Sequence, residues 1–518
     1  MSASSAPASG GAAAAPAAAG PSSPSGRAPN PGTTPGAAAG LQRRLGVASI
    51  TLMIIAASAP LTVIAGGVPT SFAVTEVLGV PLGYVLLAVV LLVFASGYAA
   101  MSRFITNAGA FYAYLAQGLS RAIGVGGSLV ALVAYNCMQV GIFAMFGFTI
   151  SDWLASRFDV TTPWWLWVAL GILVVGWLGV NRVDVSAKVI GVLVACEFVA
   201  VLIFDVTSLA VAPEGVSAAS LEPASLFVPG MGAMLAFGVA AFMGFESAAI
   251  YVEEARNPSR TIARATYLAV IIAGGFYAFS AWAMTVGLGP SNVIGASQEL
   301  GPGLVFAFMG EHVGVVMSDL CQVLFITSLF AALQSFHNAV ARYFLSLGRE
   351  GVLPAWLGRV RAKHAAPWAG SLAQTVIAVV VTIGFVIGGS TSDDPLFPVL
   401  TMFTWLTNAG AMGLVFLMAL VAASVIGFFA RDARGVPVWS RLVAPAIAVV
   451  ALGAVFVLIL VNFDLLLGQT ETNALTFLLP AILFVPGLLG LARAAVMRSR
   501  DPERYARIGH SAAPADAG

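Results

Sequence analysis

Long runs of apolar residues, separated by short polar segments, fill this chain between residues 46 and 495. Twelve of these runs lie near or above the roughly 20 residues that an α-helix needs to cross a bilayer. They cover residues 46–74, 81–101, 122–150, 163–180, 186–211, 231–252, 262–288, 313–345, 367–389, 396–429, 441–463 and 474–495. The pattern predicts an all-α integral membrane protein with about twelve transmembrane helices. The apolar, glycine-rich stretch 289–312 predicts a short helix packed over the outer mouth of the bundle.

The composition supports the same fold class. Hydrophobic residues make up 59% of the 518 positions and charged residues only 9%, whereas a soluble domain carries about 25% charged residues. The formal net charge of +1 gives no reason to expect a nucleic-acid partner. Cys137, Cys196 and Cys321 lie inside apolar runs without metal-ligand spacing. We therefore expect no disulfide framework, no metal and no other cofactor.

The two ends of the chain differ from the apolar region between them. Residues 1–40 consist almost entirely of Ala, Gly, Pro, Ser and Thr, with Arg27 as the one charge. Such a segment buries too little apolar surface to offset the entropy lost on ordering, so we expect a disordered tail. It lacks the basic start and compact apolar core of a signal peptide. Residues 496–518 are polar and are also expected to form a loose tail.

Basic residues lie almost entirely on one side of the predicted bundle. Apart from the basic ends of the apolar region, they belong to the connections that follow even-numbered runs and to the adjoining helix ends. These are Arg103, Arg121, Arg182, Lys188, Arg256, Arg260, Arg264, Arg342, Arg349, Arg359, Arg361, Lys363, Arg431, Arg434 and Arg441. The opposite side has a single basic residue, Arg157, out of 24 in the chain. By the positive-inside rule, we expect a protein of the cell membrane with both termini in the cytoplasm.

Two of the runs contain residues that interrupt a regular helix. In the first run, Pro60 lacks an N–H and leaves carbonyls near residues 56 and 57 without helical partners. In the sixth run, Gly244 and Glu246 fall near the middle of the membrane segment. Matched interruptions five helices apart are typical of an inverted five-plus-five repeat, whose half-helix ends can bind a carboxylate and an amine. The alternative is an ordinary proline kink and a glycine packing contact.

Three motifs resemble those of the amino acid–polyamine–organocation (APC) permeases. The first is Phe242-Met243-Gly244-Phe245-Glu246-Ser247, continued by Glu253-Glu254-Ala255-Arg256-Asn257-Pro258. The second runs from Arg103 to Tyr114 after the second apolar run. The third runs from Phe336 to Tyr343 and is followed by residues 347–354. The motifs occur in the order that the family shows, and the resemblance covers roughly residues 42–495.

The resemblance implies a LeuT-like fold, in which two inverted five-helix repeats are followed by two extra helices. It would place the repeats at residues 41–211 and 231–430 and the extra helices at 441–495. It also implies a substrate site where helices one and six unwind. The residues that it assigns to this site are Ala56, Ala57, Ser58, Ala59, Pro60 and Leu61 in the first helix and Ala240, Ala241, Phe242, Met243 and Gly244 in the sixth. Many family members have Gly-x-Gly at the first break, so the Ser58-Ala59-Pro60 of this chain leaves its main chain less free.

Charged residues inside membrane helices are costly and by default functional. Glu246 follows the sixth-helix break, where we expect it either to favour a substrate ammonium or to fix the broken helix. Glu197 lies deep in the fifth run, near a position where some family members have a lysine used in proton coupling. We predict that Glu197 exchanges a proton during transport. Asp205 and Asp319 lie nearer the ends of their runs and are expected to contact water.

Several uncharged or loop residues complete the candidate site. Asn136 and Gln139 form a polar stripe on the third run, where they either line the substrate path or bond across helices. Trp405 is expected to face the cavity from the tenth run, and His337 to make a structural hydrogen bond. We expect the charged side chains of Glu253, Glu254 and Arg256 to form a network that either closes an inner gate or orders a loop.

These features together predict a secondary active transporter that moves an amino acid or related amine by alternating access, with a proton as the coupling ion. A polyamine importer, an amino acid exchanger without ion coupling and a sodium symporter are the alternatives. The sequence has no nucleophile triad, metal cluster or phosphate-binding loop, so we do not expect an enzyme. A sensor would need a soluble output domain and a channel would need repeated pore-lining groups, and the sequence suggests neither.

Overall fold

In the part of the chain that the computed structural model describes, twelve helices coincide with the twelve predicted apolar runs. They are α1 Val47–Thr75, α2 Val80–Met101, α3 Arg121–Phe158, α4 Trp164–Asn181, α5 Ala187–Val211, α6 Met231–Phe242, α7 Pro258–Leu288, α8 Val315–Glu350, α9 Trp368–Gly388, α10 Pro398–Arg431, α11 Trp439–Val461 and α12 Ala474–Arg500. Eleven of them are long and apolar enough to cross a membrane, and α6 is a shorter apolar helix. The prediction of an all-α, multi-pass membrane protein is confirmed.

The structure describes residues 46–105, 111–181, 187–246, 255, 258–360, 366–390, 392, 394–468 and 472–509. Some expectations from the sequence concern residues outside these ranges. They are the tail 1–40, the end of the sixth run beyond residue 246, the group formed by Glu253, Glu254 and Arg256, and the loop cations Arg182, Arg361 and Lys363.

The helix α3 lies at the centre of the bundle, where it packs against α4, α8, α10 and α12. In the most apolar 18-residue stretch of α3, 83% is buried inside the protein, compared with 17% in the corresponding stretch of α12. Large apolar side chains instead point outward from the peripheral helices, among them Trp177 on α4, Ile387 on α9 and Val450 on α11. Apolar side chains exposed on so many sides of the bundle fit a surface that faces lipid.

Short helices close one end of the bundle, beside the end of α1. The expected short helix in residues 289–312 is in fact a pair, Val293–Leu300 and Leu304–His312. Gln298 on the first of them donates from Nε2 to the Glu76 carboxylate at 3.0 Å. This contact joins the pair to the residue that ends α1, which has a left-handed backbone with φ 55°.

The two acids that were expected to contact water differ from each other. Asp319 has a partly exposed side chain, as expected for a residue that contacts water, and its Oδ2 forms a 3.0 Å salt bridge with Arg157 Nε. Asp205 is fully buried, and Ser280 Oγ donates to its Oδ2 at 2.8 Å. The expectation for Asp205 was wrong because α7 packs along α5 and covers the face that carries this residue.

The described part of the C-terminal tail is ordered, which corrects the expectation of a loose tail for residues 501–509. The short helix Pro502–Arg507 begins at Asp501, whose side chain accepts a 3.0 Å hydrogen bond from the Arg504 N–H. An aspartate cap followed by proline at the first helical position is a common helix start. Arg504 Nε donates to the carbonyl of Glu350 at the end of α8, at 3.2 Å, and Ile508 is buried. The segment is therefore docked on the bundle.

We expect Ile508→Asn to lower the melting temperature of the purified protein. The substitution places an unpaired amide at a site that is 1% exposed, which costs about 1–3 kcal/mol. It also disturbs the neighbouring contact in which Gln117 donates to the Gly509 carbonyl at 2.9 Å. The control is Ala506→Asn on the exposed face of the short helix that precedes Ile508. If both variants melt at the wild-type temperature in a thermal-shift measurement, the docked segment does not contribute to stability.

Candidate functional site

The helix α1 is interrupted where its sequence contains Pro60. Its first part, Val47–Ser58, ends at Ala59, which has the left-handed conformation φ 49°, ψ 76°. Proline offers no N–H to the preceding turn, and the chain resumes as helix beyond it, with a π-helical turn at residues 62–67. The N–H of Leu61 donates to the side chain of Glu197 on α5 at 3.3 Å. The break therefore brings a carboxylate against the main chain of α1.

The helix α6 ends opposite this break. Its last residue is Phe242, Met243 is extended, and Gly244 has φ 104°, a conformation that favours glycine. A Cβ atom on Gly244 would lie 3.0 Å from the Cβ of Ala57, so the segment after α6 is in direct contact with the break in α1. Ser58 Oγ donates to the Met243 carbonyl at 3.2 Å, which ties the end of the first part of α1 to the end of α6.

A cavity of about 50 Å³ lies between the two breaks. Since one water needs about 10–15 Å³ on this scale, the cavity has room for a few atoms, and the helices around it must separate to admit a larger molecule. Residues of α1, α3, α6, α8 and α10 form its walls. They are Ala57, Ser58, Ala59, Thr62, Val63, Gly67, Met138, Ile142, Phe237, Ala240, Ala241, Met243, Ala332, Phe336, Phe403 and Thr407.

The sequence-predicted residues at the breaks fall into two groups. Six of them line the cavity, namely Ala57, Ser58, Ala59, Ala240, Ala241 and Met243. The others, Ala56, Pro60, Leu61, Phe242 and Gly244, are next to lining residues in the chain. Of these, Phe242 points its ring toward Tyr84 and Tyr277, with centroids 6.2 and 5.7 Å away. The structure thus brings both predicted segments to one place.

The wall from α10 consists of Phe403 and Thr407 rather than the predicted Trp405. Phe403 and Thr407 are four residues apart and share a helix face, whereas Trp405 is two residues from each and so points about 200° away. Its ring packs edge-on against Phe385 of α9 at 6.1 Å. Trp405 therefore lies between helices and does not line this cavity.

The wall from α3 consists of Met138 and Ile142, which the sequence reasoning missed. The predicted Asn136 donates from Nδ2 to the Leu132 carbonyl on its own helix at 2.7 Å and does not line the cavity. Met138 and Ile142 are spaced by four residues, as expected for one helix face. Because both side chains are apolar, the sequence does not distinguish a residue of the cavity wall from a residue of the core.

Gln139 takes part in a buried polar network between α3, α4, α8 and α9. Its Nε2 donates to the Leu333 carbonyl at 3.2 Å and lies 3.3 Å from Nδ1 of His337, while its Oε1 accepts from Gln374. His337 Nε2 lies 2.6 Å from Ser371 Oγ. Of the two interpretations left open for Gln139, these contacts favour bonding across helices, and they also place His337 in structural hydrogen bonds.

Glu246 is fully engaged by protein groups at the end of α6. Its Oε1 accepts from the Tyr135 hydroxyl at 2.7 Å, and its Oε2 accepts from the Gly244 N–H at 2.9 Å. The Tyr98 hydroxyl donates to its carbonyl at 3.0 Å. Glu246 is buried and is absent from the walls of the cavity. This arrangement favours a role in fixing the broken helix over direct contact with a substrate ammonium.

Glu197 connects α5 to both α1 and α8. Its Oε2 accepts from the Leu61 N–H at 3.3 Å and from Ser328 Oγ at 2.9 Å. Ser328 in turn accepts from Thr62, a residue of the cavity wall, at 3.2 Å. Within the described residues Glu197 forms no salt bridge. A buried carboxylate with neutral donors thus lies two hydrogen bonds from the cavity.

The chain is similar to several known transport proteins. A family model described as amino acid permease matches residues 45–486. An uncharacterized transporter of Rhizobium meliloti is 24% identical over 262 residues, which are 49% of this chain and 55% of that protein. The branched-chain amino acid permease BcaP of Lactococcus lactis is 25% identical over 327 residues, 58% of this chain and 68% of that protein. The putrescine transporter PotE of Haemophilus influenzae is 26% identical over 197 residues, 38% of this chain and 42% of that protein. The matched regions thus span between 42% and 68% of the lengths of these relatives.

Proposed function

Because this chain belongs to the amino acid permease family of the APC superfamily, we propose that it moves an amino acid or related amine across the cell membrane by alternating access. The observation that carries the proposal is the cavity between the interrupted helices α1 and α6. Main-chain groups at such breaks are free to bind a carboxylate and an ammonium, and the surrounding helices supply a dry wall. The similarity to a branched-chain amino acid permease and to a putrescine transporter supports the same general class of substrate.

The proposed architecture is the LeuT-like inverted repeat. The interrupted helices are the first and the sixth, and their breaks face each other across a contact of Gly244 with Ala57. This spacing supports two repeats of five helices, at residues 41–211 and 231–430, with α11 and α12 outside them. Alternating access would then consist of a rocking movement that opens the cavity to one side at a time.

Proton coupling is proposed to run through Glu197. The carboxylate bonds to the main chain of α1 and, through Ser328, to Thr62 at the cavity, so its charge can alter how α1 packs on α5 and α8. A ligand or proton shifts a conformational equilibrium only if it binds the two states differently. Protonation of Glu197 weakens its hold on the Leu61 N–H and so supplies that difference.

Uptake into proteoliposomes tests the proposed function. The purified protein is supplied with labelled amino acids and polyamines, with a proton gradient, a sodium gradient or no gradient imposed. We expect accumulation of an amino acid that follows the proton gradient. Uptake only in exchange for internal substrate would support the exchanger, and selective uptake of putrescine would support the polyamine importer. Absence of any substrate movement would overturn the proposal of a transporter.

The proposed orientation has both termini in the cytoplasm, since the basic residues cluster on that side. We expect a cysteine at Val216, which is 67% exposed between α5 and α6, to react with an impermeant thiol reagent added outside intact cells. A cysteine at Arg359, in the exposed connection after α8, should stay unlabelled until the cells are opened. Both variants are made in a background where Cys137, Cys196 and Cys321 are replaced by alanine. The reverse labelling pattern would show that the orientation is inverted.

A further inference from the structure

The walls of the cavity between the breaks are almost entirely apolar. The larger wall side chains are Met138, Ile142, Phe237, Met243, Phe336 and Phe403, and the rest of the wall consists of five alanines, Val63, Gly67 and three residues with hydroxyl groups. None of the side chains that line the cavity in the described part of the chain is charged. A group enclosed here would exchange water for methyl and aromatic surface, which is favourable only for an apolar group.

Three hydroxyl groups lie in the wall, and each already donates a hydrogen bond within the protein. They belong to Ser58, Thr62 and Thr407. Their acceptors are the Met243 carbonyl at 3.2 Å, Ser328 Oγ at 3.2 Å and the Phe403 carbonyl at 2.7 Å. The wall therefore has no free hydroxyl donor for a polar side chain of a substrate.

The carboxylates of the two buried acids near the breaks also accept hydrogen bonds from protein groups already. Both carboxylate oxygens of Glu246 accept hydrogen bonds from Tyr135 and Gly244. Glu197 is bonded to Leu61 and Ser328 and lies outside the wall. A second ammonium group on a substrate, such as that of lysine or a diamine, would have no counter-ion at the cavity, and burying an unpaired charge is strongly unfavourable.

The helix ends at the breaks meet the needs of one ammonium and one carboxylate. The first part of α1 ends at Ser58 and α6 ends at Phe242, so both direct C-terminal carbonyls toward the breaks. The second part of α1 begins at Pro60, so the positive end of its helix dipole faces the break, where the Leu61 N–H already donates to Glu197. Carbonyl ends favour a cation and N–H ends favour an anion. The dipoles of these helix ends thus favour the ammonium and the carboxylate common to all α-amino acids, whereas an additional charge on the side chain of a substrate has no counter-ion.

We propose that the substrate is a neutral α-amino acid with a small apolar side chain, and that Met138 and Ile142 of α3 form the wall against which that side chain packs. This inference rests on the proposed transport function and narrows it. It assigns the selection of substrate size to α3, because these two residues present apolar side chains of intermediate size to the cavity. Lysine, glutamate and putrescine are excluded by charge.

The test measures uptake of alanine, valine, leucine, phenylalanine, lysine, glutamate and putrescine by the full-length protein in proteoliposomes. We expect alanine, valine or leucine to exceed lysine and putrescine in kcat/KM by about a hundredfold or more, since a buried charge without a partner is rejected far more strongly than an extra methylene. Ile142→Ala enlarges the cavity. It should raise the ratio of phenylalanine to valine uptake about tenfold or more, because one methylene group accounts for roughly 10- to 200-fold in such pockets.

The matched control is Val140→Ala, which shortens a buried aliphatic side chain on the same helix but outside the cavity wall. It should leave the ratio of phenylalanine to valine uptake unchanged. An equal shift in both variants would overturn the assignment to Ile142. Preferred uptake of lysine or putrescine by the wild type would overturn the inference but not the proposed transport function. Failure to bind or move any compound of the panel would overturn the proposed function itself, together with the inference.

Discussion

Glu197→Gln is expected to keep substrate exchange and to lose proton-driven accumulation. Glutamine has nearly the shape of glutamate, and its carbonyl oxygen can still accept from the Leu61 N–H and from Ser328, so the contacts of α5 with α1 and α8 persist. It takes up no proton in the physiological range. With one coupled proton, a gradient of one pH unit supports about tenfold accumulation, since each factor of ten is worth about 1.4 kcal/mol. Proteoliposomes with an imposed gradient should show this tenfold ratio for the wild type and a ratio near one for the variant.

Asp205→Asn is the matched control for this prediction. Asp205 lies on the same helix, is fully buried and accepts from Ser280, but it is not linked to the cavity wall by the hydrogen bonds that connect Glu197 to Thr62. We expect this variant to accumulate substrate as steeply as the wild type. If Glu197→Gln also concentrates substrate with an unchanged pH dependence, Glu197 is not the coupling residue. Loss of exchange as well as accumulation would indicate a purely structural role.

The membrane fold and the position of the breaks follow from local features of the sequence. Apolar runs of the required length define helices because lipid leaves the backbone few other ways to pair its polar groups. Pro60 and Gly244 mark the interruptions for equally local reasons, since one lacks an N–H and the other tolerates φ 104°. Both positions were therefore predictable without knowledge of which helices become neighbours.

The walls of the cavity depend on which helix faces meet, and the sequence carries little information about that. Gln139 is polar within an apolar helix and was a reasonable candidate for the substrate path, yet its partners turned out to be Leu333, His337 and Gln374 on other helices. Ile142 lines the cavity but resembles any core residue. Asp205 is near the end of its run, where water is usually available, and only the packing of α7 along α5 buries it.

The C-terminal segment shows that a local pattern can be overlooked beside stronger ones. Asp501 and Pro502 form a helix start that is legible in the sequence. The polar composition of residues 496–518 concealed it, because composition averages over a segment and a cap is a property of two or three residues. The burial of Ile508 against the bundle, in contrast, is a tertiary fact that no local pattern predicts.

Gly244→Leu is expected to reduce uptake to background while the protein still reaches the membrane. Gly244 has a positive φ, and a Cβ there would lie 3.0 Å from the Cβ of Ala57 and 3.3 Å from its carbonyl carbon. A leucine would therefore push the end of α6 away from the break in α1 and fill the space between them. Size-exclusion chromatography establishes that the variant is folded, and uptake of labelled substrate measures the loss. The matched control is Gly275→Leu on α7, where an added Cβ meets no atom within 4 Å, and uptake should be retained.

A pair of substitutions at Ala59 separates blockage of the cavity from damage to the backbone. Ala59 has φ 49°, a left-handed conformation that costs an alanine roughly 1–2 kcal/mol and costs glycine almost nothing. Ala59→Gly should therefore retain uptake and raise the melting temperature slightly, since it relieves this strain and adds no atoms to the cavity. Ala59→Leu keeps the strain and extends a side chain into a cavity of about 50 Å³, so uptake should be lost. If Ala59→Leu and Gly244→Leu both transport with wild-type affinity, the substrate binds somewhere other than between the two breaks.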